Sequence, residues 1–374
     1  MKKTVSFILI FLLLFVFAAG CGAGSTGGGA SSGGSVSSSS FTKPENPLDL
    51  DFDAIDWSQQ PEVKVLWAIA QGANSEGGIN ITDSWADAAE KTQGKLKFEL
   101  SADAVLVDES QMLESLESGL CQIVKQTPSV NVGLIPELEC LVFPGFFSGT
   151  PEEYADFCRA IQAPVQAIYD DYGYKIFAVN YTGRSGFLMK NKQVTHPNDL
   201  KGMLLRASGA TLVRVIETYG ASATVLGLGD VPQALDRGTI DGMFSAASMM
   251  VDMHFTDVAP YLTVIGFREM LGDYSMSQSW YNSLTPEMQA AIDYYGEAYF
   301  QLITAGGRVD NSEIRNFEKA AADGTSVVIL SSEESEPFAD SVKPLFEEFG
   351  KNTSPKGLDL LKVIYDFHGW DWTF

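Results

Sequence analysis

Histidine and cysteine are scarce, at three and four in 374 residues. His196, His254 and His368 stand far apart, and Cys121, Cys140 and Cys158 lack metal-ligand spacing, so no zinc, haem or other metal site is expected. No cofactor is expected either. Basic residues are few: 25 Lys and Arg face 48 Asp and Glu, a formal charge of -23. Such a chain repels a phosphate backbone or an anionic membrane surface, which excludes nucleic acid as partner. It does not exclude an anionic ligand, because a closed pocket answers to its own few charges. Catalytic signatures are missing too: there is no G-x-S-x-G elbow, P-loop or H-E-x-x-H, and Gly227-Leu228-Gly229 lacks the third glycine of a dinucleotide loop. No enzyme is expected.

The chain also lacks an apolar run long enough for a comfortable membrane span, which needs about 20 residues. Its Val5–Phe17 run follows Lys2 and Lys3 and precedes Ala18, Ala19, Gly20 and Cys21. A cationic start, a short apolar core and small residues at the cut describe a secretory signal over residues 1–20. The ending resembles a bacterial lipobox, although Ala18 stands where leucine is more usual. Lipidation of Cys21 and anchoring in a lipid bilayer are therefore expected, on the outer face of the cell membrane or in the periplasm. That compartment permits a disulfide, but the other three cysteines read more naturally as buried small hydrophobes. Gly22 to Ser40 is almost wholly Gly, Ser, Ala and Thr, too polar to bury itself. A tether over 21–60 is expected, with roughly 25 Å between the ends of its ~20 Gly/Ser-rich residues.

From Val63 onward strands and helices alternate, the mark of an α/β fold with largely parallel sheet. Val63 to Ala70 reads as a strand, Asn80 to Thr92 as a helix, and Asp108 to Ser118 as a second helix. Thr150-Pro151-Glu152-Glu153 opens a helix towards Gly173. Met203–Ala207 and Ala210–Tyr219 begin a second strand–helix block. The periodic stretch from Pro286 to about Ala322 would form a helix near 50 Å long at about 1.5 Å per residue, more than one lobe can hold. The expected architecture is two lobes: 61–182, completed by part of the chain after about 265, and 183–264. Hinge strands, the spanning helix and terminal helices fill 265–374. Two lobes with a hinge enclose a cleft, and ligands lodge where strand C-termini face one another.

The block His196-Pro197-Asn198-Asp199-Leu200-Lys201-Gly202-Met203-Leu204-Leu205-Arg206 resembles a landmark of the solute receptors of tripartite ATP-independent periplasmic transporters, the DctP family. Val231 to Gly242, Leu113 to Gly119, Leu141 to Phe147 and Trp280 to Gln289 resemble further landmarks of that family, in order. The resemblance implies a two-lobed, periplasmic-binding-protein-like receptor that closes over a small organic acid and docks on a small and a large membrane subunit. A monomer is expected. The alternatives are a receptor feeding an ATP-driven importer, a ligand sensor, or a lyase acting on an organic acid.

The resemblance places Arg206 on the ligand carboxylate, and the chemistry agrees: a guanidinium offers two parallel donors to two carboxylate oxygens. It makes Arg184 a second cleft arginine, with a hinge or inter-lobe salt bridge as the competing role. Ser245 falls where relatives place Asn or Trp, and Leu228 replaces a frequent aromatic, with Phe244 able to fill the gap. Gln71 and Asn74 follow the first strand, and Gln126 and Thr127 follow the Leu120–Lys125 strand. All four are expected to face the cleft.

Overall fold

The computed structural model describes residues 41–145, 150–267 and 270–371. The signal segment, Cys21 and the tether to Ser40 lie outside those residues, as do Phe146 and Phe147. The first elements are β1 (Val63–Ala68), α1 (Glu76–Ser84), α2 (Ala88–Lys91), β2 (Leu96–Ser101), α3 (Met112–Glu117), β3 (Ile123–Gln126), α4 (Pro128–Asn131), α5 (Pro151–Tyr172) and β4 (Tyr174–Gly183). Then come β5 (Ser185–Met189), β6 (Leu204–Ala207), α6 (Ala210–Thr218), β7 (Ser222–Val225), α7 (Val231–Arg237), β8 (Gly242–Ala246), α8 (Ala247–Asp252) and β9 (Tyr261–Val264). The chain finishes with β10 (Met270–Ser277), α9 (Gln278–Ser283), α10 (Pro286–Phe300), α11 (Arg308–Ala322), β11 (Ser326–Ile329), α12 (Ser332–Asn352) and α13 (Pro355–His368).

Two sheets form the two lobes, in the orders β2-β1-β3-β10-β4 and β11-β9-β5-β8-β6-β7. They are mixed rather than largely parallel. β10 runs antiparallel to β3 and β4, and β5 antiparallel to β8 and β9. The cause is topological. A strand reached through a helix on its own sheet returns parallel, whereas β5 and β10 arrive directly from the other lobe and enter reversed.

Local sequence explains the elements well. Thr150 and Glu153 form a reciprocal capping box at the start of α5, and Gly173 ends it in the left-handed conformation at φ 77°. Leu212, Val215 and Ile216 form the buried stripe of α6. The helix expected over Asn80–Thr92 is instead two, α1 and α2, broken at Trp85. That indole turns inward to stack on Phe98, with ring centroids 4.9 Å apart, and to meet Trp67 at 5.1 Å. The long helix also divides. α10 packs on β4 of the first lobe, a π-helical turn covers Gln301–Ala305, and α11 packs on α8 and β11 of the second. The Gly306-Gly307 pair sits at the break, Gly307 at φ 62°.

Residues 41–60, expected within the tether, are part of the fold. Phe52 and Trp57 are buried and stack at 5.9 Å, and Tyr294 meets Phe52 edge-on at 4.9 Å. Their apolar area outweighs the polar turns between them. Cys121, Cys140 and Cys158 are buried free thiols. The lobes touch at α4 and α6: Ser129 and Ser208 hydroxyls lie 3.0 Å apart, and a Cβ on Gly209 would stand 2.2 Å from the Ser129 carbonyl. Only glycine allows that approach.

Candidate functional site

Two cavities lie where the lobes meet. The larger, about 390 Å³, is walled by Asp103, Asp108 and Glu109 from the first lobe and Arg206, Ser208 and Leu228 from the second. The smaller, about 80 Å³, is walled by Gln71, Asn80, Lys125 and Asn180 on one side and Ser248 and Asp252 on the other. Ala70 faces the first and its neighbours Ile69 and Gln71 the second; Met253 and Asp252 divide in the same way. The two cavities therefore share walls along one inter-lobe cleft.

Arg206 is on β6, paired with Thr224 of β7, and is 3% exposed. Its Nε donates to the Leu226 carbonyl at 2.9 Å. Among the described residues no carboxylate forms an ion pair with it. Burial pushes its pKa down to about 10, opposed by the nearby Glu109 carboxylate. It remains a cation at neutral pH, held out of water without an anion, which is the costly half of a salt bridge.

Lys125, at the cleft end of β3, is a second such group. It is half-buried, and among the described residues it has no hydrogen-bond or ion-pair partner. Burial lowers its pKa, with Glu109 and Asp252 pulling the other way. From the sequence alone Lys125 is only the end of the Leu120–Lys125 strand. The available signal was a lysine inside the apolar run Ile123-Val124-Lys125.

The other expected residues divide. Leu228 lines the larger cavity and Gln71 the smaller. Thr127 donates its hydroxyl to Glu109 at 2.8 Å and so positions that carboxylate. Asn74 is exposed and lines neither cavity. The Gln126 side chain and Cys21 lie outside the described part of the chain. Ser245 and Phe244 are buried in β8, where Phe244 packs on Phe187 at 4.7 Å. Neither lines the cleft cavities.

Arg184 lines neither cavity; it joins Glu313 of α11. The Glu313 carboxylate accepts from Arg184 Nε at 3.1 Å, from the Arg184 backbone N–H at 2.7 Å and from the Tyr181 hydroxyl at 3.1 Å. Burial works against the Arg184 charge, and the Glu313 pairing outweighs it, so its pKa rises. No His, Cys, Asp and Glu group among the described residues is arranged to hold a metal.

The model of the bacterial extracellular solute-binding proteins, family 7, matches residues 72–352. A solute-binding protein of Verminephrobacter eiseniae is 24% identical over 297 residues, covering 79% of this chain and 87% of its own. The ectoine-binding periplasmic protein of Halomonas elongata is 23% identical over 260 residues, covering 68% of this chain and 76% of its own. A TRAP periplasmic solute-binding protein from Desulfovibrio salexigens, solved with orotic acid, superposes with a TM-score of 0.75 at 18% identity, over 82% of this chain and 98% of that one. These relatives are receptors rather than enzymes. With the match running from the loop after β1 to the end of α12, the chain belongs to the bacterial extracellular solute-binding proteins of family 7.

Proposed function

We propose that this receptor takes a small organic acid anion on Arg206 and presents it to the small and large subunits of a tripartite, ion-gradient-driven importer. The observation that supports this is the buried, charged and unpaired guanidinium in a cleft walled by both lobes. A carboxylate arriving there completes the missing pair, and the acid is held without chemical change.

Arg206→Ala tests the assignment. A desolvated carboxylate that loses its arginine should lose about 2–5 kcal/mol, or roughly thirty-fold to several thousand-fold in affinity. Acids that co-purify, identified by mass spectrometry, supply the titrant for wild type and variant. Equal affinities would remove Arg206 from the site.

The receptor is proposed to work outside the cytoplasm, held to the membrane by lipid on Cys21 and a short Gly/Ser tether. Among the described residues no helix is long and apolar enough to cross a membrane. Cys21→Ser should move the protein from the membrane fraction to the soluble one. A variant that still sediments with membranes would rule out this anchor.

A further inference from the structure

Three residues beyond Arg206 the second lobe comes against the first. Gly209 lies ahead of α6 with φ −168° and ψ 176°, an extended backbone that any residue adopts. Its own lobe gives no reason for a glycine. Among the described residues, and apart from its chain neighbours, the heavy atoms within 4 Å of a Cβ placed there are the carbonyl oxygen and carbon of Ser129, at 2.2 and 3.4 Å. Both belong to the first lobe. Gly186 and Gly242 differ, because a Cβ on either would strike strands of its own sheet, at Thr263 or at Leu188 and Met189. An alanine at 209 is therefore free of strain until the lobes meet. There the Ser129 carbonyl must stand off by about 1 Å or more to reach ordinary contact.

The same seam carries a charged contact. Glu139 of the first lobe accepts from the Thr211 hydroxyl at 3.1 Å and from Arg214 Nη1 at 2.8 Å, both on the first two turns of α6. Arg214 Nη2 donates onward to Glu348 of α12 at 2.8 Å. Ser208 and Val130 wall the larger cavity, so the seam borders the cleft that holds Arg206. The groups that meet across it are hydroxyls, a carbonyl, a carboxylate and a guanidinium. Water replaces such partners when they part, so each bond adds only modestly to holding the lobes together. A seam of this kind opens and closes at small cost.

We propose that this seam is a closing device, with Gly209 on Ser129 as the stop and Glu139 on Thr211 and Arg214 as the catch. Gly209 and Glu139 are positioning residues that act through Arg206. The end of β6 carries the guanidinium and leads directly into the stop, so the lobes come to rest with Arg206 at a fixed depth in the cleft. Apparent affinity scales with the fraction of receptor that is closed. A change at the seam therefore weakens binding by one common factor and leaves the order of preference among acids as it was.

Disulfide trapping in the purified, dialysed protein tests the device with no acid added. Ser129→Cys with Ser208→Cys replaces two hydroxyls that lie 3.0 Å apart. The rate at which oxidised glutathione joins positions 129 and 208, followed by mass spectrometry, reads how often the seam closes. Cys121, Cys140 and Cys158 are buried and do not compete. Adding Gly209→Ala should slow joining by about tenfold or more, and adding Glu139→Gln by about two- to five-fold. Gly209→Ala by itself should melt within about 1 °C of wild type, because parted lobes accommodate the methyl group. A contact held in every conformation would instead lower the melting temperature by about 3 °C or more. Such a fall, or a Gly209→Ala protein that does not fold, overturns the proposal. Joining that is no slower with Gly209→Ala overturns the stop, and joining that is no slower with Glu139→Gln overturns the catch. If the parent pair does not join at all, the lobes do not meet at this seam and both roles fall. Because no acid enters the measurement, its outcome stands apart from that of Arg206→Ala.

Discussion

A buried cation without an anion destabilises the protein that carries it, and Arg206 has a definite sign. Burial lowers its folded-state pKa from the ordinary arginine range to about 10. The unfolded chain therefore holds this proton more tightly than the folded one. The resulting penalty is fully present below about pH 10 and fades as pH rises above that towards the ordinary arginine range. At neutral pH it amounts to as much as about 3 kcal/mol, at 1.36 kcal/mol per unit. Arg206→Met keeps the stem and removes the charge, so the ligand-free variant should melt about 2–6 °C above wild type at pH 7.5. Acid at 100 times the wild-type dissociation constant should narrow the gap, because it stabilises wild type by about 2.7 kcal/mol and a variant that binds thirty-fold more weakly by less than about 1 kcal/mol. Scanning calorimetry with and without the acid measures both. A ligand-free variant that melts lower than wild type would mean the guanidinium is already compensated within the fold.

Elements whose ends carry their own punctuation were legible in the sequence. α5 is bounded by Thr150-Pro151-Glu152-Glu153 and Gly173, and β6 and α6 fall within a residue of their expected limits. Arg206 is expected within that strand because the resemblance of the His196 to Arg206 block puts it there, and it lies on β6. What the sequence hid depends on partners far along the chain. The break at Trp85 is made by Phe98 and Trp67, and the direction of β5 and β10 by passage between lobes. Phe244 and Ser245 are expected at the cleft because the resemblance puts a ligand-facing residue at Ser245 and leaves Phe244 to replace a missing aromatic. In the fold β8 pairs with β5 and β6, and the two residues are buried there. Lys125 and Asn180 are polar residues inside apolar strands, a visible anomaly. Only the docking of α8 from the other lobe brings them onto one cavity wall.

At the scale of the molecule, the described residues pass between the lobes at β4 to β5, β9 to β10 and α10 to α11, and again from β11 through α12 to α13, which packs on α5. The first is a single residue, Arg184, and its partner Glu313 belongs to α11 of the third. Their ion pair ties two passages together in a place where Glu313 is fully buried. Gly183 completes the joint: its φ is 121°, and a Cβ there would stand 2.8 Å from Glu313 Oε1. This ion pair favours the inter-lobe joint over a ligand contact for Arg184, and the two roles have different signatures. Glu313→Gln leaves a buried guanidinium without its anion and should cost about 3–5 kcal/mol of stability. Replacing both partners, Arg184→Met with Glu313→Leu, removes the stranded charge and should bring stability back to within about 1 kcal/mol of wild type. In that double variant the bound acid should keep its affinity to within a few-fold, because Arg206 and the smaller cavity are untouched. Denaturant melts and a titration of the three proteins decide between the roles. Recovered stability with binding abolished would put Arg184 on the ligand, and failure of the second substitution to rescue the first would remove the pair from the hinge.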